Sequence, residues 1–552
     1  MALSTGLNRS RSAIVFVVNE STPGTINAYP ADADRFGLTT APVIGQSGNY
    51  TDTSEIGPEL ISVDRVLNYM EYSTFDFEFY AKPGGYTSTD LSPSAISGAS
   101  GQTTVTVSTT ATVAIGDTVL MGGTGDSGAN GLFTVTAISA GVSFDYETAA
   151  NMATGVTFSG TTTAVKKELI APEEHNILNR CFGGVKYMSN SHSGYAHGVT
   201  SPVTAGQAAV YQYYLSNTIQ TMTVTSRQFT DDSVQMYTAA GALPTSWSVS
   251  LAKDGPVTYS TGFQANRVYY AGTAELDLTY DGGNGAGVVS NSGATVLKVT
   301  SPKRHASDST ATAEDIAWYH SATIGSLFML KNNGSIVVDG SGNRTVFEVS
   351  AAISNDLVTV EVQSNAPGSN VTLASSAFLI PYTPEPCPDT TAILDQRKVQ
   401  VFMTDELTGT GLDFVTTVNT ELFHADNEIN VTAVSWDFDR SISTPALTEM
   451  TGEEFPPASY VINEPTVSGS FTLLLRPKDF QLMNSLRAEP HRALGVRVGS
   501  VDGKIIEMAA PSVFMEIPTP ADADGATQID IPFTVVRGQE CEDADKFFIR
   551  YR

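Results

Sequence analysis

Basic residues are scarce in this sequence, which contains 30 Lys and Arg against 58 Asp and Glu and has a formal net charge of −28. Because an acidic surface repels the phosphate backbone, this balance argues against a protein that grips nucleic acid. It remains compatible with a protein past which DNA slides without specific binding.

Cysteine is nearly absent. Cys181, Cys387 and Cys541 lie far apart and form no CxxC pair. This number and spacing argue against structural zinc and against a disulfide framework, and they are typical of folding in a reducing cytoplasm.

Long hydrophobic runs are missing as well. No apolar segment reaches the roughly 18 residues of a membrane-spanning helix, so the sequence predicts no membrane span. The first apolar run, Ala13–Val18, is too short for the core of a secretion signal, and we interpret it as a strand.

Catalytic and metal-binding motifs are also lacking. The GDSG stretch at Gly125–Gly128 has the sequence of a chymotrypsin-like nucleophile loop, but the first histidine of the chain, His175, comes after it. The ADADG stretch at Ala521–Gly525 has calcium-loop spacing without the closing acid, and His192 and His197 have no third ligand nearby. We therefore predict no enzymatic activity, no cofactor and no metal site.

What the sequence does contain is β-structure with many turns. Charged residues make up only 16% of the 552 residues, whereas glycine occurs 47 times. Two alternating stretches echo each other: Met70–Lys82 aligns with Thr466–Lys478, which places Phe75 on Phe471. A period of two residues is typical of a strand with one buried face.

A helix and a hairpin follow in both copies. Helical patterns occupy Pro172–Gly184, where Gly183 is suited to end the helix, and Asp479–Leu486. Farther on, Ala239–Phe263 aligns without a gap with Ala509–Phe533, and each contains an Asp-Gly turn. This recurrence favours a duplicated module, with the first copy interrupted. Chance similarity of short β patterns is the alternative.

The interrupting sequence has an echo of its own. Ile115–Gly160 resembles Ile324–Ser375, with Phe133 aligned to Phe347. We interpret these as two small related β-domains that project from surface loops.

The predicted fold class is therefore mainly β. It comprises two tandem β-sandwich or barrel modules, each with a short helix, and two small inserted β-domains. The predicted boundaries are 1–83 with 169–280 for the interrupted first module, 84–168 and 281–389 for the inserted domains, and 390–552 for the second module.

Acidic residues occupy one face of two predicted strands. Asp76 and Glu78 alternate with phenylalanines on one strand, and Asp437 and Asp439 alternate with Trp436 and Phe438 on another. Each strand should have one core face and one wet, acidic face. An ordinary solvated sheet face is the alternative interpretation.

The duplicated part resembles the major tail tube proteins of long-tailed, siphovirus-like bacteriophages. The resemblance rests on the polar loop Ser54–Val66, on the strands STFDFEFYA and VSGSFTLLL with their short helices, and on the closing strands at Asp231–Leu251 and Gly503–Ile517. The two inserts depart from the family pattern.

This resemblance implies a structural virion protein, made in the host cytoplasm, whose copies join edge to edge around a lumen. Two modules per chain imply trimeric, pseudo-hexameric rings that stack into a tube and contact the tape measure, tail tip and terminator proteins. DNA would pass through the lumen without specific binding. The residues expected to face the lumen are Asp76, Glu78, Asp437, Asp439, Ser470 and Thr472.

A function from another class is open at this point. Stacked β-domains are also typical of a virion or surface adhesin that binds a glycan or a receptor.

Overall fold

The computed structural model describes residues 13–24, 35–39, 42–55, 62–99, 102–107, 113, 117–124, 129–139, 142–147, 162–188, 210–216, 220–229, 234–252, 255–271, 274–276, 288–291, 294–300, 327–350, 357–364, 366–374, 377–382, 393–394, 396–407, 422–440, 442–443, 461–474, 484, 486–487, 490–501, 503–517, 521–523, 526–536 and 546–552. Most of them lie in antiparallel β-strands, which confirms the predicted mainly β fold. In this part of the chain, no helix is both long and apolar enough to cross a membrane.

The chain begins with five strands, β1 (Ala13–Asn19), β2 (Arg35–Phe36), β3 (Gly48–Glu55), β4 (Ser62–Met70) and β5 (Ser73–Tyr80). β1 pairs with β2, and β3 with β4 forms a hairpin. In β5 the burial alternates as the sequence predicts, because Phe75, Phe77 and Phe79 are buried while the residues between them are exposed.

Seven strands then form a separate sheet: β6 (Tyr86–Asp90), β7 (Pro93–Ala99), β8 (Gln102–Val107), β9 (Thr118–Gly122), β10 (Gly131–Ser139), β11 (Ser143–Glu147) and β12 (Thr163–Leu169). β6 pairs with β12 at one end of the sheet, and β7 pairs with β8 at the other. Only Leu91 and Ser92 separate β6 from β7, so one continuous stretch of chain, β6–β7, joins the two ends of the strand order, and the strands surround an apolar core of their own; we call this a closed sheet.

The chain next forms α1 (His175–Phe182), followed by β13 (Gly183–Met188), β14 (Val210–Leu215), β15 (Met222–Phe229), β16 (Val234–Leu251), β17 (Thr258–Ala265) and β18 (Arg267–Ala271). α1 ends at Gly183, as predicted, because its φ of 84° lies in the left-handed region that glycine adopts readily.

A second closed sheet follows, made of β19 (Ala274–Leu276), β21 (Ala294–Thr300), β22 (Leu327–Asn332), β23 (Ser335–Ile336), β24 (Val346–Val349), β25 (Leu357–Ser364) and β27 (Phe378–Pro381), with the pair β20 (Val288–Val289) and β26 (Val371–Thr372) beside it. β27 pairs with both β19 and β22, which closes the sheet.

The two closed sheets share their strand order and register. In the first, Phe133 lies opposite Val119, and in the second Phe347 lies opposite Phe328. These pairs occupy equivalent ladder positions, as the alignment of Phe133 with Phe347 predicts. The second sheet begins at Ala274, ahead of the boundary drawn from the sequence at residue 281.

The remaining strands are β28 (Val399–Asp405), β29 (Glu428–Ile429), β30 (Ala433–Asp439), β31 (Ile442–Ser443), β32 (Val461–Ile462), β33 (Thr466–Leu474), β34 (His491–Val498), β35 (Ile506–Met515), β36 (Ala521–Ala523), β37 (Ala526–Val535) and β38 (Phe548–Tyr551). Asn484, Leu486 and Arg487 are helical; the rest of the helix predicted there, like Leu475, lies outside the described residues.

Five strand ladders occur twice in the chain. In the first set, β16 pairs with β15, β17 and β18, β1 pairs with β15, and β5 pairs with β17. In the second set, in the same order, β35 pairs with β34, β37 and β38, β28 pairs with β34, and β33 pairs with β37. Ala239 lies opposite Val268, and Ala509 lies opposite Phe548. We call β1–β5 with α1–β18 the first module and β28–β38 the second.

The ladders correct one detail of the sequence alignment. Phe75 lies opposite Phe263, whereas Gly469 lies opposite Phe533, the counterpart of Phe263. Phe75 is therefore structurally equivalent to Gly469, two residues before Phe471, on which the sequence alignment places it. The physical reason is the ring of Trp436, whose centroid lies 4.7 Å from that of Phe533. Gly469, which lies opposite Trp436, leaves room for the Phe533 ring, because an added Cβ would lie 2.6 Å from that ring.

One apolar core lies under both modules. The Phe182 ring of α1 contacts Trp247 of the first module at 5.5 Å and Phe438 of the second at 5.1 Å, measured between centroids. Trp436 contacts Phe547 at 5.0 Å. Because these rings are buried and interlocked across the modules, the two copies share their packing.

We expect Gly469→Ala to destabilise the shared sheet. An added Cβ would overlap the Ser435 carbonyl oxygen and lie 2.6 Å from the Phe533 ring, so β30 and β33 would have to separate. The expected loss in the free energy of unfolding is roughly 1–3 kcal/mol, measured by urea denaturation followed by circular dichroism. The matched control, Gly340→Ala, adds a Cβ that meets nothing within 4 Å. Equal effects of the two changes would contradict the prediction.

Candidate functional site

Six neighbouring strands form a sheet with one polar face, in the order β5, β17, β16, β30, β33 and β37. None of the six strand sequences contains Lys, Arg or His. The opposite face supplies aromatic and aliphatic side chains to the shared core. We call the first surface the polar face.

Residues from both modules line up in rows across this face. One row consists of Glu78, Ser260, Ser248, Asp437 and Ser468. Because side chains alternate between the two sides of a strand, residues paired directly across a ladder lie on the same side. The acids predicted on two separate strands thus share one surface.

A second row consists of Asp76, Gly262, Ser246, Asp439 and Thr466. Gly262 has a spatial reason here. An added Cβ would lie 2.6 Å from the Ser246 hydroxyl oxygen and 3.2 Å from the Asp76 carboxylate. Asp76 and Asp439 are exposed, on either side of Gly262 and Ser246.

Ser470 and Thr472 complete the predicted set, and both are partly buried on the same face. Thr472 lies opposite Asp530 of β37, and its hydroxyl donates a hydrogen bond of 3.0 Å to the Asp530 carboxylate. The sequence analysis missed Asp530. Its signal was the alternation with the buried residues Ile529 and Ile531.

The surroundings of the carboxylates differ. The Thr39 hydroxyl donates a hydrogen bond of 3.0 Å to the Glu78 carboxylate. Partial burial raises the pKa of Asp437 above its ordinary value. A face made of carboxylates and hydroxyls repels a polyanion and gives it no cation to bind.

The two modules meet within this sheet, in a pairing that we call the seam. Residues 246–251 of β16 pair with residues 434–439 of β30, so that Trp247 lies opposite Phe438 and Val249 opposite Trp436. The Arg440 amide extends the pairing by donating to the Thr245 carbonyl at 2.8 Å. Trp247 is only 1% exposed.

At the β37 end of the sheet, the chain repeats the β16 side of the seam. The Glu516 amide donates to the Pro532 carbonyl at 3.1 Å, in the position that Ser246 and Gly262 occupy in the first module. Ile517 is thus the counterpart of Trp247, yet it is 56% exposed. Among the described residues, no strand pairs with the outer side of this segment.

At the β5 end of the sheet, the chain repeats the β30 side of the seam. Residues 42–47 lie beside the start of β5, at the positions that correspond to those of β30 beside β33. The Ser73 hydroxyl donates to the Gly45 carbonyl at 2.6 Å, and the Glu71 amide donates to the Ser47 carbonyl at 2.8 Å. Val43 is 88% exposed. Within the described residues, the two ends of the sheet thus resemble the two complementary sides of the seam.

The stretches that resembled metal or nucleophile motifs in the sequence can be compared with the structure only in part. Within them, no group of three or more His, Cys, Asp or Glu side chains is placed to hold a metal ion. The GDSG loop and the pair His192 and His197 lie outside the described residues.

Comparison with known proteins gives no family. No family model and no curated protein matches the chain. A chain from the cryo-EM structure of the E. coli P pilus tip assembly intermediate PapC-PapD-PapK-PapG is 11% identical, with a TM-score of 0.07. The comparison covers 100% of this chain and 62% of that chain. A likeness this low carries no argument about fold or function.

We expect the polar face to add no stability. Combining Asp76→Asn, Glu78→Gln, Asp437→Asn and Asp439→Asn should leave the free energy of unfolding unchanged or raise it by up to about 1 kcal/mol, most at low salt, because like charges repel. Urea denaturation at two salt concentrations measures this. As a control, Glu173→Gln removes the 2.9 Å ion pair with Lys82 and should lower stability. A loss above about 1 kcal/mol in the fourfold variant would contradict the prediction.

Proposed function

We propose that this chain is a structural virion protein that polymerises as stacked rings into the tail tube of a long-tailed bacteriophage. The observation that carries the proposal is the repeated seam. Among the described residues, Glu516 and Ile517 of the second module repeat the edge that the first module offers to β30, and residues 42–47 of the first module repeat the position of β30. In the proposed assembly, the first of these edges in one copy pairs with the second in the next copy, as β16 pairs with β30 within one chain.

This contact is head-to-tail, because two different edges meet. Such an interface generates a ring when its rotation closes and a filament when it does not. Two modules per chain and three chains give six equivalent seams, the number implied by the resemblance to tail tube proteins. Closure of the ring would also cover the edges of the sheet, and exposed sheet edges promote uncontrolled aggregation.

The polar face is assigned to the lumen. DNA carries one negative charge per roughly 1.7 Å of helix axis, so basic side chains in a channel would hold it. Carboxylates at Asp76, Glu78, Asp437, Asp439 and Asp530 keep the genome sliding, while hydroxyls such as those of Ser470 and Thr472 keep the wall wet. In this proposal the tape measure, tail tip and terminator proteins contact the tube, and the protein resides in the virion.

Electron microscopy of the purified protein tests the proposal directly. Hollow rings or tubes are expected. Isolated rods of β-domains at all concentrations would overturn it and favour an adhesin instead.

We expect Ile517→Asp to block assembly. In the proposed contact Ile517 is buried as Trp247 is, so a charge there loses about 2 kcal/mol per contact, or roughly 30-fold in the dissociation constant. Sedimentation velocity measures the shift toward monomer. The matched control is Val142→Asp in the first closed sheet, because Val142 is 54% exposed and Ile517 is 56% exposed. Equal assembly of both variants would contradict the assigned edge.

We expect lysine at Asp76, Glu78, Asp437 and Asp439 to spare assembly and impair DNA delivery. The reversed charge adds phosphate contacts, so DNA should co-sediment with the tubes in a salt-sensitive manner. The control makes the same change in net charge at exposed acids away from the polar face: Asp90, Glu147, Asp426 and Glu428. Unchanged infectivity and equal DNA retention by both variants would refute the lumen assignment.

A further inference from the structure

The C-terminal strand crosses from one module to the other. β38 pairs with β35 of the second module on one side and with β14 of the first module on the other. Tyr551 lies opposite Ile506 in one ladder and opposite Tyr211 in the other. β38 is thus a second junction between the modules, separate from the seam.

The end of this strand contacts a buried carboxyl group. The Tyr551 hydroxyl donates to Glu174 Oε1 at 2.5 Å, and the Tyr259 hydroxyl lies 3.1 Å from that of Tyr551. The Lys82 amide donates to the two Glu174 oxygens at 3.2 and 3.3 Å. Glu174, at the start of α1, is 1% exposed.

Several elements bring titratable groups toward Glu174. The ammonium group of Lys82 pairs with Glu173 at 2.9 Å, and the Tyr213 hydroxyl lies 2.8 Å from His175 Nδ1. The titratable and charged groups around this site come from five parts of the chain. They are Lys82 after β5, Glu173 just before α1, His175 and Arg180 of α1, Tyr211 and Tyr213 of β14, Tyr259 of β17 and Tyr551 of β38.

Burial opposes the ionised form of Glu174. It raises the pKa of this carboxyl group from 4.5 to about 7, and the negative charge of Glu173 acts in the same direction. The hydrogen bonds from Tyr551 and from the backbone act against the rise. The closed site therefore retains a proton that a solvated glutamate would release.

We propose that Glu174 and Tyr551 form a proton-controlled latch that holds the C-terminal strand of the second module against the first. With Glu174 protonated, β38 stays in place between β14 and β35. Ionisation leaves a buried negative charge, which is relieved when the strand end opens and water reaches the carboxylate. The latch rests on this cluster alone and does not require ring assembly.

The direction of the pH dependence follows from proton binding. The folded pKa lies above that of the opened state, so the closed state binds more protons between the two values. The stability of the closed latch is greatest below pH 4.5 and falls as the pH rises toward about 7. From about pH 5.5 to about pH 8, the opening constant should rise roughly 30-fold.

Hydrogen exchange of the C-terminal peptide tests the latch. The full chain is labelled at both pH values, exchange is corrected for its intrinsic pH dependence, and mass spectrometry follows the amides of Phe548–Tyr551. The wild type should lose protection about 30-fold on going to the higher pH. Glu174→Gln should abolish this change, whereas the control Glu147→Gln, at an exposed glutamate of the first closed sheet, should retain it.

Tyr551→Phe keeps the test decisive if the Glu174 variant does not fold. Without the hydroxyl donor, the ionised carboxylate loses a hydrogen bond, so the strand should open more at the higher pH than in the wild type. Protection of the wild type that does not change with pH would overturn the proposal. The same pH dependence in Glu174→Gln as in the wild type would overturn it too.

Discussion

The pairing of β16 with β30 is the interaction on which the rest of the structure depends. It joins the two modules into one sheet and brings their alternation into phase, because residues opposite each other in a ladder share a face. Trp247 and Trp436 therefore enter one core, and the acids of both modules enter one surface. A slip of a single residue between these strands would turn the side chains of one of them over and move its tryptophan to the polar face.

The polar face and the core make opposite contributions to the stability of the sheet. The interlocked aromatic rings beneath β16 and β30 stabilise it, whereas five carboxylates on strands without a basic residue repel one another. Natural proteins retain such unfavourable features where function needs them. In the proposed tail tube, a wall that repels a polyanion would be a function of this kind.

Much of the local structure was predictable. The β content, the alternating faces of β5 and β30 and the end of α1 at Gly183 all agree with the sequence, because each depends on a few neighbouring residues. The alignment of the two phenylalanine-rich strands was wrong by two residues, since a period of two leaves such a shift undetected. Asp530 was missed because the turn-like ADADG stretch just before its strand drew the interpretation toward a loop.

By itself, the sequence determined which residues alternate, where turns fall and how much charge the surface carries, because these properties are set within a few residues of chain. Only the tertiary structure decided that β5, β30 and β33 lie in one sheet, that both ends of this sheet repeat the seam, and that Glu174 meets Tyr551. Such contacts join distant parts of the chain, and strand register depends on packing that no local pattern encodes.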